Sequence, residues 1–311
     1  MTVEGDVIRS VPLRRVTHVV LGAGVGVTTP VLRALLREGV GLSIINRWGR
    51  MEGMLEPAEA KNIVLRQQQC MRARDEAFCI SVGREIVRGK LRNERNLARR
   101  MLRAHPNLVD EGQVLRIQQA LAQVSDASSL SALRGLEGSG ARAYFTVFRA
   151  VLEDAHGFEG RRRRPPTDPI NAMLSLGYSL LTQNLITACR AAGLDPYEGF
   201  FHSDKYGRPA LALDLVEEFR HVIVDSVVMR LVNRNMVDAD DFEPGARGGV
   251  FLKHKALQVF FEQYEARLQT RVRHPLGDRR FSYQQIFEIQ ARQLRKCIEG
   301  KVERYKPFLT R

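Results

Sequence analysis

From Pro57 to the carboxyl terminus, apolar residues recur at the three-to-four spacing of amphipathic helices, whereas the first 56 residues carry short branched runs separated by glycines. Val7 to Arg9, Val16 to Leu21 and Leu42 to Ile45 read as strands, because such side chains suit a pleated, half-buried surface. Between the second and third, Thr28-Thr29-Pro30 opens a helix that runs through Arg37 and stops at Gly39. Proline is tolerated in a first turn, and Val31, Leu32, Leu35 and Leu36 give this helix one apolar face. Gly49 and Gly53 then mark a turn. The change of period places a boundary near residues 55 to 60. Residues 1–57 are expected to form a small amino-terminal β-rich domain and residues 58–311 a larger all-helical domain, an α+β fold.

Within the second domain, Thr167-Asp168-Pro169 is a helix start, with Asp168 as cap, Pro169 in the first turn and Gly193 as the stop. Met173, Leu174, Leu176, Leu180, Leu181 and Leu185 crowd its faces, so most of its circumference should be buried. A further helix is expected from about Leu213 to Asn235. Arg161 to Arg164, followed by Pro165-Pro166, reads as an exposed loop between two helices. No internal repeat interrupts this pattern.

Composition narrows the partners. The chain has 311 residues, 44% of them hydrophobic, which suffices for a real core. Lys and Arg total 48 against 35 acids, a formal net charge of +13, which points to a polyanion, nucleic acid first. No run approaches the 18 or so apolar residues that a membrane span needs, so no membrane association is expected. Cys70, Cys79, Cys189 and Cys297 lack any CxxC spacing, which disfavours zinc ribbons, redox pairs and disulfide frames and fits the reducing cytoplasm. Arg14-Arg15 before Val16 to Val27 mimics a signal peptide, but His18 interrupts the apolar run and no small-residue cleavage pattern follows. Gly22, Gly24 and Gly26 imitate a dinucleotide fingerprint, yet Val27 stands where its third glycine belongs and Leu42 to Arg47 offer no acid for a ribose. A glycine turn between strand and helix is the simpler reading.

Three segments carry candidate chemistry: Leu136 to Arg142, Gly199 to His202, and Asp214 to Arg220. Glu137 lies in a run of small residues that begins a helix with Tyr144, Phe145, Phe148 and Val151 on its apolar face, and its small neighbours leave room for a phosphate. His202 emerges from two phenylalanines, and an isolated histidine is more often structural than a ligand. Asp214 and Glu217, three residues apart on a helix, face one side and could share a cation, although acids at a helix start ordinarily just favour the dipole.

The order of these segments changes their weight. Asp168-Pro169-Ile170-Asn171-Ala172-Met173-Leu174-Ser175-Leu176-Gly177-Tyr178 stands between the glutamate and the histidine, Asp195-Pro196 precedes the histidine loop, and an Arg47 to Leu55 turn lies upstream. Together they resemble the spacer-acquisition integrases of CRISPR systems, the "Cas-one" family, from about Val7 to Pro307. The resemblance implies catalytic roles for Glu137, His202, Glu217 and Asp214. The first three would be ligands of a divalent ion, Mg2+ or Mn2+, and Asp214 a supporting carboxylate. One nitrogen among oxygens leans toward manganese. It further implies double-stranded DNA as substrate, a homodimer formed through the amino-terminal domain, and a small "Cas-two" dimer bracketed by such pairs. The reaction would be joining of a fragment's 3′-hydroxyl to a repeat phosphodiester by transesterification. Family chains usually carry another β-hairpin before the point matched by Val7, so a trimmed start or a piece of a fusion is expected here.

The same resemblance gives the positive charge a destination. Arg142, Arg208, Arg220, Arg230 and Arg234 near the site, and Arg161, Arg162, Arg163 and Arg164 further out, are candidates for phosphate contact, although any single one is more often a solvated surface arginine. Tyr178 reads as core. Two competing functions remain: a structure-selective nuclease that turns the same site on water and branched DNA, and a non-catalytic DNA-binding scaffold.

Overall fold

The computed structural model describes residues 2–310 apart from 4–5, 8–9, 14–15, 17, 47–50, 58–61, 106–110, 153–156, 163–164, 204, 246–247 and 276–278. The end of the first expected strand, Ile8 and Arg9, and the turn expected at Gly49 therefore lie outside the described residues, as do Arg163, Arg164 and Asp204. The chain forms two compact units, Met1–Glu59 and Ala60–Arg311. The fold class is α+β, a small strand-bearing region followed by a helical body.

In the first unit, β1 (Thr2–Val3) pairs antiparallel with β2 (Asp6–Val7). Next come β3 (His18–Leu21), α1 (Thr29–Arg37), β4 (Gly41–Ile45) and β5 (Met51–Leu55), whose strands form one sheet in that order. β3 and β4 run parallel, with His18 opposite Gly41 and Leu21 opposite Ile44, and parallel neighbours require the crossover that α1 supplies. The glycine turn into α1 is built on Gly24 at φ 81°, the turn out of it on Gly39 at φ 73°, both conformations that cost glycine least. Gly53, expected in a turn, instead pairs with Ile44 inside β5, where no side chain is needed for packing. Leu35, Val40 and Leu42 are the buried centre of this unit, ringed by Leu13, Val16, Val19, Leu21, Leu32 and Leu55.

The second unit begins with α2 (Ile63–Ala73), α3 (Glu76–Ala104), α4 (Gly112–Gln123) and α5 (Leu130–Val151), the last three packed on one another. Asp75 caps α3 by accepting from the Phe78 amide, and Ser129 caps α5 by accepting from Ala132. α5 crosses α3 at Gly140, where an added Cβ would stand 2.1 Å from Leu91 Cδ2. α6 (Pro169–Ala191) is capped by Asp168, whose carboxylate takes the Asn171 amide at 2.8 Å, and Gly193 at φ 79° turns the chain away. Its buried residues include all six apolar side chains expected to crowd it.

The continuous helix expected over residues 213–235 is instead segmented. α7 (Ala210–Val216) ends in a turn, a π-helical segment follows at His221–Asp225, and α8 (Ser226–Asn233) resumes the regular pitch. A buried ion pair between His221 and Asp225 spans this segment, and Gly177 of α6 admits Val224 beneath it. Apolar periodicity cannot register a one-residue change of pitch, which is why the break escapes the sequence pattern. The body ends with a hairpin of β6 (Phe242–Pro244) and β7 (Val250–Leu252), α9 (His254–Leu268), a hairpin of β8 (Arg271–Arg273) and β9 (Arg280–Ser282), and α10 (Tyr283–Ile298). The helical domain thus carries two hairpins whose three-residue strands are too short to set up an alternating pattern. Among the described residues, no helix is long and apolar enough to cross a membrane.

The α3–α5 crossing yields a test. Gly140→Val should lower stability by about 1–3 kcal/mol in urea unfolding, because the branched side chain overlaps Leu91 and Glu94; wild-type stability would show that the helices separate freely there.

Candidate active site

Glu137 lies about two turns into α5, not at a helix start, because the Ser129 cap begins the helix earlier. The glycines beside it stay helical; Gly140 serves close helix packing rather than space for a phosphate, while nothing but an Arg142 tip approaches Gly138. Glu137 faces Lys90 of α3, and the two form an ion pair. The same ammonium is 2.7 Å from Glu217 Oε2, just beyond the end of α7. One buried cation therefore bridges two carboxylates that the sequence holds eighty residues apart (217 − 137). Glu217 is only 5% exposed and Lys90 6%, but Glu137 is 25%, so the pair opens to solvent on the Glu137 side.

The electrostatics follow from that burial. Desolvation alone would push the Glu217 carboxyl up, but Arg220, then Lys90 and His202, hold it well below the usual carboxylate range. Desolvation would likewise lower Lys90, yet Glu217, Glu137 and Glu94 keep it above the ordinary lysine value. Arg220 Nε lies 3.2 Å from Glu217 Oε1, and its guanidinium stacks over Tyr178 at 4.8 Å.

His202 is held by Asp214. The buried carboxylate accepts the amides of Phe200 at 2.7 Å, Phe201 at 3.0 Å and His202 at 2.8 Å, and the His202 ring through Nδ1 at 2.7 Å. A carboxylate only accepts, so Nδ1 carries a proton, and Nε2 is turned toward Glu217 Oε1 at 3.7 Å. Four accepted bonds fill the lone pairs of Asp214. Asp214, which its helical spacing would allow to share a cation with Glu217, is turned to this loop and orients the histidine. Gly199 permits this docking: a Cβ there would sit 2.8 Å from the Ala210 carbonyl carbon.

Behind these groups lies a buried polar chain. His221 Nε2 is 2.9 Å from Glu94 and its Nδ1 2.7 Å from Asp225, whose carboxylate also accepts the Tyr144 hydroxyl at 2.8 Å and the Tyr178 hydroxyl at 2.5 Å. Burial opposes charge on His221, but Glu94 and Asp225 raise its pKa to about 9. Glu218, next to Glu217, faces away from the site. It accepts the Phe308 amide at 2.7 Å, Gln290 at 2.9 Å and the Tyr305 hydroxyl, which pins the carboxyl-terminal segment to this helix. Burial pushes the Glu218 carboxyl up to about 7 against those three donors.

Of the candidate arginines, Arg220 joins the carboxylate pair. Arg161 is a tie more than an exposed loop residue: it donates to Asn171 at 2.8 Å and Ser175 at 3.2 Å and stacks over Tyr178 at 5.3 Å. Arg162 is exposed and paired with Glu159. Arg142, Arg230 and Arg234 are exposed, and Arg208 is half-buried beside Lys205 and Tyr206 in a shallow surface depression. Lys90, Glu94, His221 and Asp225 escaped the sequence reading. Their one signal is a polar residue at a core-facing position: in α3, Val82, Ile86, Lys90, Asn93 and Glu94 fall on one buried stripe.

Two carboxylates and an imidazole nitrogen are a donor set suited to a divalent ion of the manganese or magnesium kind. The Lys90 ammonium marks a position between the carboxylates that already accommodates positive charge, and Glu217 Oε2 is buried there without a well-aligned hydrogen bond. Among the described residues no three His, Cys, Asp or Glu side chains close a metal cage, for Lys90 stands between two of the three.

The family model for CRISPR-associated protein Cas1 matches residues 1–266. The chain belongs to the Cas1 family. A CRISPR-associated endonuclease Cas1 of Thermus thermophilus is 37% identical over 306 residues, 98% of this chain and 90% of that relative. A Cas4 exonuclease–Cas1 endonuclease fusion of Rhodospirillum rubrum is 35% identical over 99% of this chain, which spans 54% of the fusion. Among solved structures, a Cas1 protein of Thermotoga maritima superimposes with a TM-score of 0.79 at 23% identity, covering 97% of this chain and 91% of that one, a likeness of fold. The Cas1-bearing chain of a Cas6-RT-Cas1–Cas2 complex gives a TM-score of 0.79 at 25% identity, covering 93% of this chain and 32% of its own.

Two expectations belong to the geometry of this Cas1 family member. Asp214→Asn places an amide donor against backbone donors, and should cost about 1–3 kcal/mol in urea unfolding while speeding hydrogen exchange at Phe200, Phe201 and His202; unchanged exchange would show the loop is held otherwise. The His221 pKa is raised above its ordinary 6.5, so its contribution to stability is complete below that pH and lost as pH rises through about 9. His221→Gln should therefore lower the melting temperature strongly at acid to neutral pH and progressively less toward alkaline pH.

Proposed function

We propose that this Cas1 family member is a metal-dependent DNA integrase of CRISPR adaptation, and that Glu137, His202 and Glu217 hold its divalent ion. The observation that carries the reading is the convergence of Glu137 and Glu217 on one cation position, flanked by Nε2 of His202. The ion, Mg2+ or Mn2+, would favour the alkoxide of the attacking 3′-hydroxyl and neutralise charge on the phosphorane-like transition state. Asp214 keeps Nε2 of His202 available by fixing the proton on Nδ1. Arg220 holds Glu217 ionised and in place from a platform on Tyr178. In the reaction, the 3′-oxygen of the spacer fragment bonds to phosphorus of the repeat, the repeat's own 3′-oxygen leaves, and it takes up the proton. No covalent protein intermediate is needed.

Arg142, Arg162, Arg163, Arg164, Arg208, Arg230 and Arg234 would contact phosphates without reading sequence, as arbitrary spacer DNA requires. Double-stranded DNA, a second copy bound through the amino-terminal unit, and a Cas2 dimer are the proposed partners; the solved Cas1–Cas2 complex supports the last. Four free cysteines fit a reducing cytoplasm. The endonuclease names of the curated relatives favour one second reading, hydrolysis of branched DNA with water as nucleophile at the same site.

The test supplies purified protein, the partner dimer, a fragment with a free 3′-hydroxyl and a repeat-bearing plasmid, with Mn2+ or Mg2+. Joining should require metal and fall below detection in Glu137→Ala, His202→Ala and Glu217→Ala; equal product from all three would end the proposal. Blocking the 3′ end stops integration but leaves hydrolysis intact, which separates the two readings.

A further inference from the structure

We propose that Lys90 is the resident counter-ion of the Glu137–Glu217 pair, holding the two carboxylates together before the metal enters and yielding its place when the metal binds. The proposal rests on the reading of Glu137, His202 and Glu217 as metal ligands. Two carboxylates this close in a buried setting repel unless a cation lies between them. The protein supplies one: the Lys90 ammonium contacts both, and its side chain is 6% exposed. Its helix is not free to drift, because Asn93, three residues on, donates to the backbone carbonyls of Glu218 and Phe308, and Leu91 packs beneath Gly140.

Lysine suits a role of this kind. Its charge is a compact ammonium on a flexible four-carbon stem, so it can neutralise a site and then swing out without moving the backbone. The open side lies toward Glu137, at 25% exposure against 5% for Glu217. Lys90 and Arg220 face Glu137 and Glu217, and Asp214 adds a third carboxylate behind His202, one negative charge in excess (+2 − 3). A divalent ion added to that set turns it positive, and a DNA phosphate on the open side is the group that absorbs the excess. Metal and DNA should consequently strengthen each other's binding, with Lys90 passing from carboxylate to phosphate as the link.

The test is Mn2+ binding to the chelator-stripped full-length protein, followed by electron paramagnetic resonance of free Mn2+ and by calorimetry, with and without a short DNA duplex. Lys90→Met should bind Mn2+ about tenfold more tightly than wild type without DNA, a coupling in the usual range. It should melt lower in chelator, gain more from Mn2+, and lose the tightening that DNA gives the wild type. Unchanged or weaker Mn2+ affinity would overturn the proposal, since a lysine serving only to support the fold would weaken the site when removed. Should Lys90→Met fail to fold without metal, Lys90→Gln is measured instead, with the same expectation and the same overturning result. Equal Mn2+ binding by wild type, Glu137→Gln and His202→Gln would strike at the metal-site reading itself, a different failure.

Discussion

Two acidic side chains that repel each other must be held near one point, and much of the helical body can be understood from that constraint. Glu137 comes from the middle of α5 and Glu217 from the end of α7, and neither helix alone would choose to bring a buried carboxylate there. The pair persists because Lys90 and Arg220 supply opposite charge from α3 and from the turn beyond α7. Helix packing sets how closely they meet. Gly140 lets α5 approach α3, and a bulkier residue would lengthen the reach that Lys90 must make to Glu137.

The histidine is secured by a different device. A loop would ordinarily leave His202 free to sample rotamers, but three consecutive amides, 200 through 202, donate to one buried aspartate. Asp214 thus fixes backbone and ring together, and the loop behaves as an extension of α7. On the opposite side, the π-helical segment turns His221 toward Glu94 and Asp225, so that Tyr144, Tyr178 and the Arg220 stack are tied into one buried chain. Glu218 adds the carboxyl-terminal segment through Tyr305 and Phe308, on the face of the helix away from Glu217. Adjacent glutamates therefore do opposite things, one facing a cation and the other anchoring the chain's end.

Much of this was legible in the sequence, for identifiable reasons. Helix α6 announced itself through Asp168, Pro169 and Gly193, local signals that tertiary structure had no cause to override. The α+β organisation followed from the change of period. Glu137, His202 and Glu217 were singled out through their order along the chain and the family it resembles, not through any local pattern, and the structure brings the two glutamates to the ammonium of Lys90. What stayed hidden was non-local. No spacing rule indicates that Lys90 reaches across to Glu137, that Asp214 turns inward to serve the His202 loop, or that Arg161 folds back onto Tyr178. Each depends on which surface another helix happens to cover. The segmented helix after α7 was missed because a π-helical turn preserves the apolar stripe while changing its pitch.

The positive charge divides along the same line between burial and exposure. In the free protein Arg220 and Lys90 are each matched to a carboxylate, and Arg161 is bound to Asn171 and stacked on an aromatic ring. Such cations cannot release counter-ions on meeting DNA, because they hold none in the free protein. Exposed arginines such as Arg142, Arg230 and Arg234 can, and they are the class that gives sequence-independent, salt-sensitive attraction. Net charge therefore overstates the positive surface available to a phosphate backbone, because the buried cations are already matched by carboxylates. On the proposed reading the two classes would act in sequence, the exposed arginines drawing a duplex toward the protein and the buried cations holding Glu137 and Glu217 in the arrangement that receives it.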